Sequence, residues 1–200
     1  IIVTVLFACL IGSALLFYAG WELIIVGLLC VLFAFLYTTG PYPLSYNGWG
    51  DVLVIVFFGF VPVGGTYYVQ ALTWTSDTTV ASLICGLLID TLLVVNNYRD
   101  READARSGKR TDIVRFGEKF GRYLYLMLGV AASLLCFWFF FEGHLFAALL
   151  PLLYLIPHVL TWRRMVQIHS GKKLNSILGE TSRNMLLMGI LLSIGFLIRH

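Results

Sequence analysis

The most informative stretch of this chain is TVASLICGLLIDTLLVVNNYRDREADARSGKRT, residues 79–111. Its first part, residues 79–97, is apolar almost throughout, and a helix of about 20 apolar residues crosses the ~30 Å hydrocarbon core of a bilayer. Its second part, residues 98–111, is a dense mixture of acids and bases. We therefore predict a membrane-spanning helix that runs directly into a charged connection.

Further apolar runs flank this helix on both sides, and Gly-rich, Pro-rich or polar segments separate them. Of the 200 residues, 59% are hydrophobic and 12% are charged, whereas soluble domains average about 45–50% and 25%. We predict an all-α fold, a polytopic transmembrane helical bundle that forms a single domain over residues 1–200. The expected spans are 1–19, 22–39, 52–71, 79–97, 120–141, 144–162 and 184–199.

Lys and Arg crowd one side of this predicted bundle. Threading the spans places the connections 40–51, 98–119 and 163–183 on that side, and the opposite side offers only Arg199. Cytoplasmic connections of membrane proteins carry an excess of Lys and Arg. We therefore expect the charged connections to face the cytoplasm, with a bacterial inner membrane as the location. The net charge of +3 reflects this topology, and the sequence shows no basic stripe typical of nucleic-acid binding.

Two acids at the end of the predicted helix are candidate metal ligands. Asp100 and Asp104 are four residues apart, so on a helix their carboxylates lie on one face, one turn from each other. Neighbouring carboxylates repel each other unless a cation lies between or above them. Mg²⁺ suits such a pair, because it takes one or two carboxylates and completes its shell with water and phosphate oxygens. We predict that Asp100 and Asp104 are catalytic, metal-binding residues for a phosphate-bearing substrate.

Amide and basic side chains around these acids are candidates for binding the phosphate groups. A P-loop is excluded, because Arg110 stands between Lys109 and the next hydroxyl residue. The alternative is an ordinary cytoplasmic loop, whose exposed ion pairs contribute little to stability. The predicted diphosphate-binding residues are Asn96, Asn97, Arg99, Lys109 and Arg110.

Asp90 lies inside the predicted span, where a carboxylate costs about 2.5–3.5 kcal/mol on insertion scales. It precedes Asn97 by seven residues, so the two share a helix face that continues toward the acids at the helix end. Asp90 is either part of a substrate pocket or a protonated, hydrogen-bonded structural acid. Tyr42 and Tyr46, in a polar connection on the same side, are the other candidate pocket residues.

These residues resemble a known family. Residues 96–111, NNYRDREADARSGKRT, resemble the second aspartate motif of the UbiA superfamily, in the form NNxRDxxxDxxxGKRT of its 1,4-dihydroxy-2-naphthoate prenyltransferase branch. Residues 40–51, 57–70 and 174–196 are also similar to that branch, so the resemblance covers essentially the whole chain. Tyr46 stands where the 4-hydroxybenzoate branch has the lysine of YPxxK, which favours the naphthoate branch.

The resemblance implies a fold of nine transmembrane helices around a central cavity, of which seven are expected here. The first two helices and a first motif of the NDxxDxxxD kind would precede Ile1, so we expect an N-terminally truncated chain that lacks half of the metal–diphosphate cage. Asp112 stands where relatives more often carry an apolar residue, a departure whose consequence the sequence does not assign.

The resemblance also implies a chemical activity. A polyprenyl group would pass from polyprenyl diphosphate to the aromatic acceptor 1,4-dihydroxy-2-naphthoate in a Mg²⁺-dependent reaction with decarboxylation. The product would be demethylmenaquinone, an intermediate of menaquinone biosynthesis, and the expected partners are these two substrates and the lipid bilayer. The alternatives are a UbiA-type enzyme with another aromatic acceptor, and a non-enzymatic membrane transporter or binder of anionic lipids.

Overall fold

The computed structural model describes residues 2–198, and this part of the chain consists of helices and connections without a strand. The predicted all-α bundle is confirmed. Its helices are α1 (Ile2–Ser13), α2 (Leu16–Ala19), α3 (Glu22–Thr38), α4 (Gly50–Ala71), α5 (Ser76–Arg106), α6 (Asp112–Phe116), α7 (Glu118–Phe141), α8 (Leu145–Ile168) and α9 (Lys172–Leu197).

Within residues 2–198, α4, α5, α7, α8 and α9 are long and apolar enough to cross a membrane. Helix α3 has 17 residues, at the lower end of the crossing range of about 17–25. The predicted first span is interrupted, because a turn at residues 14 and 15 separates α1 from α2. Apart from such turns and the residues at the ends, each predicted span is helical where it is described. Arg199, the predicted end of the last span, lies outside the described residues.

The predicted helix boundaries differ most from those in the structure where an apolar run gives way to charged residues. Helix α5 continues past the predicted end at Asn97 to Arg106, and α9 starts well before the predicted start of the last span at residue 184. The prediction followed apolar composition, whereas a helix can continue into water with its charged side chains solvated. At ~1.5 Å per residue, the 31 residues of α5 extend beyond a ~30 Å core. Its last turns, with Asp100 and Asp104, therefore project past the hydrocarbon.

Helix α5 lies at the centre of the bundle and packs against α4, α6, α7 and α9. The contact with α4 is close, because glycines replace side chains on both helices. A Cβ at Gly59 would lie 2.5 Å from the carbonyl oxygen of Ser82, and one at Gly86 would lie 2.9 Å from the Cα of Ile55. Such small residues let helix backbones approach each other in a membrane. The stretch Ile55–Gly64 of α4 is a π-helix, a departure often found near functional sites.

A buried histidine joins α7 and α8 on the other side of α5. The ring of His158 stacks between Tyr125 and Tyr154, with centroid distances of 4.7 and 5.0 Å. Its Nε2 donates to the carbonyl oxygen of Leu126 at 3.2 Å, and its Nδ1 accepts from the Tyr154 hydroxyl at 2.9 Å. A carbonyl can only accept, so Nε2 carries a proton, and in the neutral ring Nδ1 then accepts from the tyrosine hydroxyl. Both ring nitrogens are satisfied, so His158 stabilises the bundle.

Candidate functional site

The charged end of α5 lies against the connection between α3 and α4. The backbone N–H of Arg110 donates to the carbonyl oxygen of Tyr46 at 2.8 Å. The guanidinium of Arg115, in α6, donates to the carbonyl oxygen of Asn47 at 2.8 Å. The two polar segments that the sequence singles out are therefore neighbours in space, although some fifty residues of chain separate them.

Arg99 gathers three of the polar side chains at this end. Its Nε and Nη2 donate to the two carboxylate oxygens of Asp100 at 2.7 and 2.6 Å. Nη2 also donates to the amide oxygen of Asn96 at 2.8 Å, and Nη1 donates to that of Asn175 in α9 at 3.0 Å. A guanidinium presents its donors in a fixed, planar fork, which suits such a bidentate contact with a carboxylate. The Asp100 side chain is 39% exposed, so it stays accessible from the surface.

Asp104 carries its own cation. The ammonium of Lys109 donates to Asp104 Oδ2 at 3.4 Å, and the Lys109 backbone N–H donates to the Asp104 carbonyl oxygen at 2.9 Å. Gly108, with φ +77°, turns the chain back in a conformation that glycine adopts without strain. The Asp104 side chain is only 13% exposed. Both predicted metal ligands are thus neutralised by basic residues close to them in the chain.

The side-chain oxygens at this site could supply part of the coordination shell of a Mg²⁺ ion. The carboxylates of Asp100 and Asp104 and the amide oxygens of Asn96 and Asn97 are the hard oxygen ligands that Mg²⁺ prefers. Over residues 2–198, however, there is no group of three acidic, histidine or cysteine side chains placed to hold a metal ion. This donor set therefore fits a Mg²⁺ ion that takes its remaining ligands from phosphate oxygens and water.

A small cavity of about 10 Å³ lies beside these residues, which is roughly room for one water molecule. Asn97, which is buried, and Lys109 contribute to its wall, and Asp51 at the start of α4 contributes from the opposite side. The cavity is therefore lined by two predicted phosphate-binding residues, Asn97 and Lys109, and by Asp51, which was not among the predicted site residues. Its lining residues are Tyr37, Ser45, Gly48, Gly50, Asp51, Asn97, Lys109 and Thr111.

The predicted pocket residues are dispersed. Tyr42 and Tyr46 have side chains that are 56% and 41% exposed, and neither lines the cavity. Tyr46 contributes its backbone carbonyl, which holds Arg110, and the Arg110 side chain is itself exposed. Asp90 is buried within α5. The structure therefore brings together the residues at the end of α5, and leaves the two tyrosines at the surface.

An unexpected feature of the site is a group of three acids. Asp51, Asp90 and Asp112 lie close enough for their carboxyl groups to influence one another's charge. The three come from α4, α5 and α6, so no spacing in the sequence points to their proximity. Two features of the sequence could have indicated this group of acids. Asp90 is an isolated acid inside a span, and Asp112 stands where the resembled family favours an apolar residue.

Comparison with known proteins shows what this chain is similar to. The model of the UbiA prenyltransferase family matches residues 1–194. A 1,4-dihydroxy-2-naphthoate octaprenyltransferase of Haemophilus influenzae is 38% identical over 181 residues, which cover 86% of this chain and 56% of that protein. The protein of the same name from Escherichia coli K12 is 39% identical over 142 residues, which cover 68% and 46%.

A more distant relative carries a different name. The UbiA prenyltransferase domain-containing protein 1 of Dictyostelium discoideum is 30% identical over 162 residues, which cover 81% of this chain and 48% of that protein. The chain thus spans about half the length of these curated relatives. No solved structure matches it significantly.

Proposed function

Because the chain belongs to the UbiA prenyltransferase family, we propose that it forms part of an enzyme that transfers a polyprenyl group from polyprenyl diphosphate to an aromatic acceptor. The acceptor is 1,4-dihydroxy-2-naphthoate, whose carboxylate leaves as CO₂, and the product is the hydroquinone form of demethylmenaquinone, an intermediate of menaquinone biosynthesis. The observation that carries this proposal is the 38–44% identity to proteins named 1,4-dihydroxy-2-naphthoate octaprenyltransferase.

The residues at the end of α5 bind the diphosphate in this proposal. Asp100 and Asp104 hold Mg²⁺, which when bound neutralises negative charge on the leaving diphosphate. Arg99 and Lys109, which now neutralise the two acids, turn their donors to the phosphate oxygens. Such charge-assisted hydrogen bonds are among the strongest that side chains make. The amide group of Asn97 orients the phosphate from the cavity side.

The apolar tail of the substrate lies in the membrane part of the bundle. An apolar cleft of about 860 Å³ separates α1, α2 and α3 from the second half of α4. Its wall includes Pro62 and Val69 of α4 and Val31 of α3. An allylic cation is hydrolysed by water, so chemistry in a site bordered by lipid and apolar helices protects it. The membrane therefore supplies both a solvent for the tail and a shield for the reaction.

The orientation follows from the basic connections. The charged end of α5, the α6 region, the end of α8 and the start of α9 lie in the cytoplasm by the excess of Lys and Arg, and the membrane is the bacterial inner membrane. This arrangement exposes the diphosphate-binding end of the bundle to cytoplasmic substrate.

An assay of the full-length protein tests the activity. Membranes that contain it are incubated with labelled polyprenyl diphosphate and 1,4-dihydroxy-2-naphthoate, with Mg²⁺ or with excess EDTA. We expect a lipid-soluble prenylated product, diphosphate and CO₂ in the Mg²⁺ sample alone. A parallel incubation with 4-hydroxybenzoate distinguishes the two acceptor classes. Absence of prenylated product with every acceptor, in membranes where the protein is present and folded, would contradict the proposal.

A further inference from the structure

The start of α9 reaches the charged end of α5 through a hydrogen bond between side chains. Nη1 of Arg99 donates to the amide oxygen of Asn175 at 3.0 Å, although 76 positions of chain separate the two residues. The proposed function places Arg99 at the diphosphate and assigns no role to Asn175. A residue on a second helix therefore contacts a diphosphate-binding side chain directly.

The residues on either side of Asn175 fix its position. Leu174 and Ile177 are fully buried, and they belong to the same core cluster as Val95 and Tyr98 of α5. Side chains in a close-packed core resist displacement, so the start of α9 keeps a fixed place beside the last turns of α5. The Asn175 side chain is itself exposed. Its amide group is therefore held at the surface of the site by two packed helices.

Polar contacts hold the connection that precedes α9. His169, directly after α8, has its Nε2 at 3.0 Å from Oε2 of Glu118, at the start of α7. Nη2 of Arg101, in α5, donates to the same carboxylate oxygen at 3.2 Å. One carboxylate thus joins α5, α7 and the connection between α8 and α9. The start of α9 is therefore tied to the end of α5 by polar contacts as well as by the apolar core.

The donors of Arg99 contact two kinds of acceptor. Its Nε and Nη2 form an edge that binds both carboxylate oxygens of Asp100, and a phosphate group can take the same bidentate edge. Other N–H groups of the guanidinium donate to the neutral amide oxygens of Asn96 and Asn175. In the proposed function Asp100 binds Mg²⁺ and the edge becomes available to phosphate. The two amide oxygens can hold the guanidinium during this exchange.

We propose that Asn175 is a positioning residue for Arg99, which it orients for the phosphate of the substrate, an inference that rests on the proposed function. Asn96 lies on the same helix as Arg99, so Asn175 supplies the restraint from a second helix. Without it the guanidinium is less ordered before binding, and ordering a long side chain reduces affinity. A neutral acceptor orients the cation, whereas a carboxylate at position 175 would compete with phosphate for Arg99 and repel it.

Binding of inorganic pyrophosphate tests this role without any turnover. Titration calorimetry with Mg²⁺ uses the full-length, detergent-solubilised protein and its variants. Asn175→Ala should weaken binding by about 3- to 10-fold, the effect of one lost hydrogen bond, and Asn175→Asp should weaken it at least as much. Ser176→Ala is the control, because this hydroxyl donates only to the Lys173 carbonyl in its own turn, and it should bind like the wild type. Unchanged or tighter binding by Asn175→Asp would overturn the inference.

A double-mutant cycle tests whether Asn175 acts through Arg99. In the Arg99→Ala background, Asn175→Ala should cause no further loss of pyrophosphate affinity, because residues that act together are not additive. Additive losses would overturn the inference. So would a lower unfolding temperature of Asn175→Ala with unchanged pyrophosphate affinity, since that result describes a contact that only stabilises the fold.

Kinetics separate this inference from the proposed function. Asn175→Ala should raise the KM for polyprenyl diphosphate and leave the KM for the aromatic acceptor unchanged, and the opposite pattern would overturn the inference. A wild type that binds pyrophosphate but prenylates no acceptor would refute the proposed function, and the pyrophosphate titrations would still decide the role of Asn175. A wild type that binds no pyrophosphate would overturn the inference itself.

Discussion

Each acid at the charged end of α5 is paired with a cation from its own neighbourhood in the chain. Asp100 is held by the preceding Arg99, and Asp104 by Lys109 across a single glycine turn. Surface pairs contribute about 0–1 kcal/mol to stability, and the less exposed Lys109–Asp104 pair is long, at 3.4 Å. Both pairs are therefore weak, and in the proposed function a diphosphate with its metal ion exchanges partners with all four side chains.

Replacing either acid should abolish activity and leave the fold intact. Asp100→Ala and Asp104→Ala in the full-length protein should each lower kcat by about 10²–10³-fold, comparable to removal of one transition-state stabilising group. Membrane insertion should be unchanged, because only weak ion pairs are lost. The measurement is prenyl transfer in membranes with equal amounts of inserted protein.

Glu102 provides the matched control for these substitutions. It lies between the two acids on the same helix, and its side chain is exposed, so Glu102→Ala should retain wild-type turnover. Full activity of Asp100→Ala and Asp104→Ala at saturating Mg²⁺ would show that these carboxylates do not hold the ion.

His158 should act as a structural residue, and a neighbouring glycine allows this to be tested without removing it. A Cβ at Gly129 would lie 2.2 Å from His158 Nε2, so Gly129→Ala should displace the ring and break its bond to Leu126. Overpacking typically costs about 1–3 kcal/mol, and we expect a lower unfolding temperature of the detergent-solubilised protein. Gly179→Ala in α9, where nothing lies within 4 Å of the new Cβ, should not lower it. Equal unfolding temperatures for the two variants would contradict a tightly packed histidine.

The contact between α4 and α5 sets the positions of Asp51 and Asp90 relative to each other. Helix α4 carries Asp51 and α5 carries Asp90, and the glycines between the helices let their backbones approach. The π-helical stretch of α4 faces this contact. The distance between the two carboxyl groups therefore depends on how closely the two helices pack.

Gly59→Ala should separate these helices. Its Cβ would lie 2.5 Å from a backbone oxygen of Ser82, which cannot move aside as a side-chain tip can, so α4 must shift. We expect a stability loss of about 1–3 kcal/mol and a lower kcat, measured by thermal unfolding and prenyl transfer. Gly65→Ala, on the same helix with nothing within 4 Å of its Cβ, should behave like the wild type. A Gly59→Ala protein with normal stability would mean that the helices are farther apart than described.

The bundle as a whole has one strongly charged end. The last turns of α5, the start of α7, the end of α8 and the start of α9 all carry basic residues there. Trp74, with the short connection 72–75, lies at the opposite end. Positive charges are retained on the cytoplasmic side during insertion. The proposed diphosphate site and the basic residues that predict the topology therefore lie at the same end of the molecule.

Cysteine labelling tests this orientation. In full-length protein whose native cysteines are replaced by alanine, Thr73→Cys and Ser107→Cys place a thiol in an exposed connection at each end. A membrane-impermeant maleimide should label Thr73→Cys from the outside of the inner membrane, and Ser107→Cys only after the membrane is opened. The reverse labelling pattern would place the charged end outside the cytoplasm.

Much of this architecture could be predicted from the sequence, because it depends on local properties of the chain. Apolar length predicted the long helices of the bundle, but not the short α6 or the break between α1 and α2. Helical spacing placed Asp100 and Asp104 one turn apart at the end of α5. The motif around them predicted the family, which the match over residues 1–194 confirms. The exact helix ends could not be predicted, because a helix continues into water wherever its backbone hydrogen bonds and solvated side chains allow.

The contacts between helices were decided only by packing in three dimensions. Arg99 donates to Asn175 of α9, and Asp51 lies near Asp90 and Asp112, across separations in the chain that no spacing pattern encodes. The neighbour of a buried acid can be a cation, another acid or water. Which of these it is depends on which helix faces the acid and on how closely the two helices pack. The sequence shows that a carboxyl group at position 90 costs free energy inside a membrane. Only the folded bundle determines which neighbouring groups offset that free energy.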